Sequence, residues 1–494
     1  MKLIIKNLGP IKNNNQAIDL DKDFFVFVGR NNSGKSYVAQ LLWAVFNQDI
    51  IHKFAHKNLD ILNNYIIDNV NHLEVSSELL AKILTKYSLF LQEETKKEIF
   101  NISENSEIVN SAILNNNIVM EIVINFDYEI SELKEQEVRF IHEGENILEY
   151  IEIQKNKGEL IYKFEEKELP ENIKGVIPKI FLDRNLVDQK KFILITSIIR
   201  TMLKHQHETF FLPASRIFFP TFYRYIYDIE RKQREQNFRK IVDLLENKKD
   251  NLQLPDVKEF FQRQYTEPMN KVFEKLFNIF KDKVKEDYIY LVQQLKEILG
   301  GEIILVAQEV ISPIEFYFKT RDKILPMYLA SSSVNQLTLI YLYFKYWAEE
   351  KNNFLMIDEP EVNLHPENQI KLLNILIQFI QNETRNKVLI TTHSSILANA
   401  INNYIYLDVL KNQHGVNVEK IIEDNKLYYV DSSVSIAKEK VGVYFFTGDK
   451  IIDYESGDSG IYFRNFREVE NNLDKSLRIL TDYIYTQEDE VDDE

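Results

Sequence analysis

One octapeptide limits what this chain can fold into more than any other feature. Gly29, Arg30, Asn31, Asn32, Ser33, Gly34, Lys35 and Ser36 follow the apolar run 24–28 and precede an amphipathic stretch at 35–46. Two glycines five residues apart, then Lys-Ser, between a strand and a helix, is the spacing of a loop that cradles phosphate. The glycines let the backbone turn back so that its amides point into one cavity. The helix that follows adds the positive end of its dipole. In that reading Lys35 reaches the β- and γ-phosphates of ATP, Ser36 ligates Mg²⁺, and Asn31, Asn32 and Ser33 complete the loop. Such a loop works at the carboxyl edge of a parallel sheet, so the expected fold class is α/β, of the P-loop NTPase kind.

Two further buried-strand patterns end in chemistry. The run 354–357 ends in Asp358, Glu359 and Pro360, and the run 388–391 ends in Thr392 and His393. Carboxylates at a strand's C-terminal end lie where ligands of parallel sheets bind. Asp358 is expected to hold Mg²⁺ with Ser36. Glu359 is expected to polarise the attacking water, and His393 to contact the γ-phosphate. Ser331, Ser332, Ser333 and Gln336 precede an expected helix at 332–348, where hydroxyls and free amides make an anion site.

The rest of the pattern is scaffold. Residues 2–6 and 18–28 read as strands, 50–115 as helical, 118–166 as β, and 222–300 as helical with Pro255 and Pro268 as interruptions. Strand, helix and strand alternate over 354–391. The tail is acidic and reads as solvated and disordered. The strip 216–240 interleaves arginines with aromatics, which suits nucleic acid or a protein partner as well as a packed hinge.

Taken together these residues resemble the ABC-type ATPase heads of the RecF/SMC-like group. They resemble most the bacterial ATPases related to the overcoming-lysogenization-defect family and its anti-phage relatives (PARIS-, Septu- and retron-associated-like systems). The stretches 7–11, 212–216, 358–366 and 391–397 carry that likeness. The resemblance implies that residues 29–36 are Walker A, Asp358 and Glu359 Walker B, Ser331 to Gln336 the signature, 361–366 the D-loop region and His393 the switch histidine. Ser333 stands where the family signature has glycine. Arg216, at the end of a strand before the helical insertion, is carried as a candidate ATP-binding residue. The implied architecture is an ABC-ATPase head over 1–47, 118–225 and 301–412, with helical insertions at 48–117 and 226–300 and an α+β accessory region at 413–494. Because the signature of one head completes the ATP site of another, the resemblance implies a homodimer or higher homo-oligomer.

Composition trims the alternatives. The chain has 494 residues and no cysteine, which excludes thiol catalysis, disulfides and a cysteine zinc hook. With 60 basic and 76 acidic residues, its net charge of −16 does not suit a general nucleic-acid coat. No stretch approaches the ~20 apolar residues of a membrane span, and the start lacks a signal-peptide pattern, so a cytoplasmic chain is expected. The helical blocks are too short for a long SMC arm. Residues 413–494 are short for a Toprim nuclease, and the carboxylates at Asp453, Glu455 and Asp458 read as a turn. A separate effector, a nuclease or toxin, is therefore expected as partner, with nucleic acid or a phage protein as trigger. The alternatives are a RecF-like repair ATPase acting directly on DNA and, less in keeping with the insertions, an importer's nucleotide-binding subunit.

Overall fold

The computed structural model describes residues 2–65, 72–95, 99–100, 121–125, 136–143, 148–155, 161–168, 186–203, 207–222, 225, 229, 232, 265–306, 315–381, 385–412, 414–454, 456–457 and 460–491. Its strands are β1 (Lys2–Asn7), β2 (Ala17–Asp19), β3 (Phe24–Gly29), β4 (His72–Glu74), β5 (Glu121–Asn125), β6 (Gln136–Glu143), β7 (Leu148–Lys155), β8 (Ile161–Glu168), β9 (Glu208–Leu212), β10 (Glu302–Val306), β11 (Glu315–Lys319), β12 (Ile324–Pro326), β13 (Asn353–Asp358), β14 (Lys387–Thr392), β15 (Val441–Phe446) and β16 (Ile451–Asp453). The helices named below are α1 (Lys35–Phe46), α2 (Gln48–Lys57), α3 (Ser77–Glu94), α4 (Leu186–Met202), α5 (Glu267–Asn278), α6 (Ile289–Leu299), α7 (Ser332–Leu342), α8 (Pro366–Ile380), α9 (Ser395–Asn412), α10 (Val418–Asn425) and α11 (Arg464–Val491).

A six-stranded sheet in the order β16-β15-β3-β14-β13-β9 organises the molecule. β15, β3, β14, β13 and β9 are parallel to their neighbours, and only β16 runs antiparallel, at one edge. Side chains of a strand alternate between faces, and the sequence puts apolar residues on both. Phe25, Phe27, Phe354, Met356 and Leu389 point into the layer that contains α1 to α4. Phe24, Val26, Val28, Leu355, Ile357, Val388 and Ile390 point into the layer of α5 to α9. A sheet buried on both faces needs continuous apolar runs rather than alternation, which is what 24–28 and 354–357 supply. Smaller antiparallel sheets, β2-β1-β5, β10-β11-β12 and β4-β8-β7-β6, flank it: Leu3, Ile5 and Leu73 pack into the first layer, and Ile303, Phe316 and Phe318 into the second. No helix among the described residues is long and apolar enough to cross a membrane.

The fold corrects several expectations. The run 18–28 is two strands, because the polar residues Asp21, Lys22 and Asp23 break it. The block 50–115 contains a short strand, β4, paired antiparallel with β8. Pro268 sits in the first turn of α5, just after the non-helical Tyr265 and Thr266, where its missing N–H costs nothing. The α-helix after the serines ends at Leu342 and widens into a π turn, Tyr343–Trp347. Residues 413–494 are no separate appendage: β15 pairs with β3 in parallel register, Tyr444 beside Phe27, and so belongs to the central sheet. The acidic end, expected to be disordered, is helical in α11 through Val491. No glycine or proline follows Gly460, and good helix formers carry the helix on. Most of the strip 216–240 lies outside the described residues, among them Arg224, Arg231, Arg234, Arg239 and Lys240. So do Glu455 and Asp458, while Asp453 ends β16.

Candidate nucleotide site

The three motif-bearing strands end side by side. β3 and β13 flank β14, with Thr392 opposite Val28 and Thr391 opposite Asp358. The loop of residues 29–36 therefore leaves the sheet next to Asp358, Glu359 and His393, as the sequence implied.

The loop's shape depends on three backbone positions. Gly29 has φ +148°, and a Cβ there would sit 2.3 Å from the carbonyl oxygen of Phe446 on β15. Gly34 caps α1 at φ +96°, and Asn32 takes the left-handed region at φ +58°, which asparagine tolerates best after glycine. Asn31 and Asn32 are exposed, whereas Ser33 and Lys35 are buried. The Ser33 hydroxyl has no hydrogen-bond partner. Lys35 Nζ donates to the carbonyls of Gly29 (3.1 Å) and Arg30 (2.9 Å), curling back over its own loop. Burial holds the Lys35 ammonium below its usual pKa, against the pull of Asp358, Glu359 and Glu361. A desolvated cation of this kind gains from an arriving polyanion.

Ser36 Oγ lies 3.0 and 2.8 Å from the two carboxylate oxygens of Asp358. The Thr391 hydroxyl donates to the same carboxylate at 2.5 Å. A hydroxyl and a carboxylate in contact are hard oxygen donors, which fits Mg²⁺. That ion keeps several waters and is held by one or two protein carboxylates plus substrate phosphate. No group of three or more His, Cys, Asp or Glu able to hold a metal occurs among the described residues, and magnesium beside a nucleotide does not need one.

Glu359 sits at φ +48°, a left-handed conformation that costs a non-glycine residue about 1–3 kcal/mol. It is held there by its own N–H, which donates to the carbonyl (3.1 Å) and the hydroxyl (3.0 Å) of Thr391. The turn aims the half-exposed carboxylate at His393, whose Nε2 lies 3.6 Å away. Burial, and then the neighbouring charge of Asp358, push the Glu359 carboxyl above its usual pKa. Burial and Lys35 push His393 below its own. Both shifts follow from removing charge from water.

The structure also assigns places that sequence spacing did not distinguish. Arg216 is fully buried. Its guanidinium donates to the main-chain carbonyls of Gln336 (3.1 Å), Pro213 (3.2 Å), Asp358 (2.6 Å) and Glu359 (3.1 Å), and burial brings its pKa down to about 10. This is a correction to its candidacy for nucleotide contact: its donors are committed to carbonyls that tie the start of α7 to the end of β13. Gln336 is corrected likewise. It is buried against Arg216, its side-chain oxygen 2.7 Å from Nη2 in the orientation that satisfies both, and does not face outward to a second subunit. Ser331, Ser332 and Ser333 do stand at the surface or near it. Ser331 caps α7 by accepting from Val334 N–H at 3.3 Å, and its hydroxyl meets that of Ser333 at 2.9 Å.

Glu361 was read only as part of a loop, yet it fixes the end of β14. One carboxylate oxygen accepts from the Thr392 hydroxyl and from the His393 main-chain N–H, both at 2.7 Å. The other has no partner, and burial raises the pKa of the group. A glutamate three residues after Asp358, in a strand-end turn, was the available signal. Glu361→Ala should free the His393 backbone and lower kcat on the order of tenfold or more, since small misplacements near reacting atoms are costly. KM for ATP should change little, and Glu361→Gln, which keeps the acceptor, should restore most of the rate. A KM defect without a kcat defect would contradict this placement.

No curated protein matches this chain. Among solved structures it is similar to an Smc head bound to the C-winged helix domain of ScpA, at 12% identity and TM-score 0.31 over 81% of this chain and 90% of that one. A Pyrococcus furiosus Smc head with an extended coiled coil, bound to the C-terminal domain of ScpA, matches at 12% identity and TM-score 0.32 over 97% and 98%. The SMC head domain from Thermotoga maritima matches at 11% identity and TM-score 0.28 over 92% and 98%. The sequence profile of one family, described as AAA ATPase domain, matches residues 1–398. With that match over most of its length and a phosphate loop in place at the sheet edge, the chain belongs to the AAA ATPase domain family.

Proposed function

We propose that this chain is the ATP-driven switch of an anti-phage defence system, an ABC-type head that works as a homodimer and restrains or releases a separate effector. The observation that carries the ATPase half is the contact of Ser36 with Asp358, with Glu359 and His393 beside it. In this reading Lys35 and the loop amides bind the ATP phosphates. Ser36 and Asp358 hold Mg²⁺, which supplies charge neutralisation at the phosphates when bound. Glu359 accepts the proton of the attacking water, and His393, neutral because of its lowered pKa, steadies the terminal phosphate. Ser331, Ser332 and Ser333, at or near the surface at the start of a helix, are the groups offered to the nucleotide of a second head.

The defence half rests on the stretches 358–366 and 391–397, whose residues resemble that branch. Its effector is a nuclease or toxin, and its trigger nucleic acid or a phage protein. The test is co-expression with the products of adjacent genes. Toxicity or nucleic-acid cleavage should require a neighbour and should disappear with Lys35→Ala. The purified chain alone should leave plasmid, single-stranded DNA and tRNA intact. Cleavage by the lone chain that survives Lys35→Ala and is lost with Asp453→Ala would overturn the two-component reading. ATP turnover stimulated by DNA alone would favour direct action on DNA instead.

A further inference from the structure

The C-terminal helix α11 is 28 residues long, and its base is fixed to the body. Phe463 joins the core on the α5–α9 face, and Phe466, in the helix's first turn, packs against it. Beyond that turn the helix stands away from the body: every residue from 471 to 480 is exposed. Yet it is not a polar arm. Val469 is 60% exposed, Leu473 66%, Leu477 66% and Leu480 63%. At 100° per residue these four fall within one stripe about 80° wide, and Ile484 continues it in sequence. Isolated helices are marginal in water, and most owe their stability to packing of an apolar face. Four large aliphatic side chains in line on a projecting helix therefore mark a contact surface.

The charge pattern selects what covers it. From Arg464 to Arg478 there are four basic and three acidic residues. From Ile479 to Glu494 there are seven acidic residues and no basic one. Acidic residues at a helix C-terminus oppose the macrodipole, which favours cations there. A second copy laid antiparallel brings Arg464 and Arg467 alongside that acidic end, and opposed helix dipoles also attract. A parallel pair would instead set two runs of seven carboxylates side by side. In sequence the aliphatic spacing from Val469 to Ile484 is centred between Ser476 and Leu477, so two copies can pair it symmetrically, as an isologous contact requires.

We infer that α11 is a self-association element: two copies of this chain pair through Val469, Leu473, Leu477 and Leu480 as an antiparallel two-helix seam. This contact is separate from the nucleotide site and does not depend on ATP.

The chain has no cysteine, so single cysteines report the geometry directly. The experiment uses the full chain without nucleotide, in the Lys35→Ala background, to remove any ATP-driven association. Leu477→Cys, near the centre, should form a disulfide dimer on mild oxidation. Val469→Cys and Ile484→Cys should each fail alone, because antiparallel copies of either residue lie ~22 Å apart along the axis at 1.5 Å per residue. Mixed together, those two variants should cross-link. Leu473→Asp combined with Leu477→Asp should halve the mass seen by light scattering, and these exposed positions leave the folded body untouched, as circular dichroism should verify. Efficient self-cross-linking of Val469→Cys would overturn the antiparallel arrangement. An unchanged mass in the double aspartate variant, with no cross-link from any cysteine, would overturn self-association altogether and assign the stripe to another protein.

Discussion

Lys35→Ala is expected to weaken ATP binding by at least about a hundredfold, measured by titration calorimetry or a fluorescent analogue. The ammonium is buried and already held below its usual pKa by desolvation, and its hydrogen bonds go to the Gly29 and Arg30 carbonyls. Neutral acceptors compensate a buried cation poorly, while phosphate oxygens form charge-assisted bonds about twice as strong. The side chain thus moves from a weak partnership to a strong one when nucleotide arrives, and alanine forfeits the difference. Two such bonds at about 1.5–3 kcal/mol each are ample for the stated loss. The fold should persist, because α1 is held by Val38, Leu41, Leu42 and Val45 in the core and not by Lys35. Near-native affinity in a folded Lys35→Ala protein would remove the phosphate-loop assignment.

How much of this was legible in the sequence depends on what each residue's role rests on. The strands β3, β13 and β14 could be read because a sheet buried on both faces forces contiguous apolar runs, and each run stops at a polar residue at the sheet edge. The loop could be read because glycine spacing encodes backbone geometry: only glycine accepts φ +148° with a carbonyl 2.3 Å from where a Cβ would be. Arg216 and Gln336 could not, because a sequence does not tell an arginine aimed at a ligand from one buried against carbonyls 120 and 142 residues away. β15 was missed as a member of the sheet for a similar reason. Its apolar run fits a buried strand of any sheet, and its partner β3 lies near the other end of the chain. Glu361 became informative only when the turn at Glu359 folded it back onto β14. The helicity of the end of α11 was masked by charge: the six carboxylates of residues 487–494 suggested a solvated end, while the aliphatic spacing before them argued for a helix.

Glu359→Gln should keep ATP binding and lose hydrolysis, by about 10²–10⁴-fold in kcat, the usual contribution of a positioned general base. Glutamine has the same shape, so the left-handed turn and its two bonds to Thr391, made by the main chain, remain. What it lacks is the ability to take a proton. The environment of Glu359 prepares it for that task. Burial and the adjacent Asp358 raise its pKa, bringing it closer to the working pH and making it a better base than a solvated carboxylate. The sign of the pH dependence follows. The base must be ionised, so kcat falls as pH drops through the raised pKa, and this acid limb lies above the usual carboxylate range. His393, with its pKa lowered, is neutral near pH 7 and adds no opposing limb there. In Glu359→Gln the acid limb should vanish along with the rate. If two heads enclose the nucleotide between them, the variant should also hold ATP in a closed pair that outlasts gel filtration, whereas the parent releases it after turnover. Turnover that continues undiminished, with its acid limb intact, would show that another residue takes the proton and that the turn at Glu359 serves only to place His393.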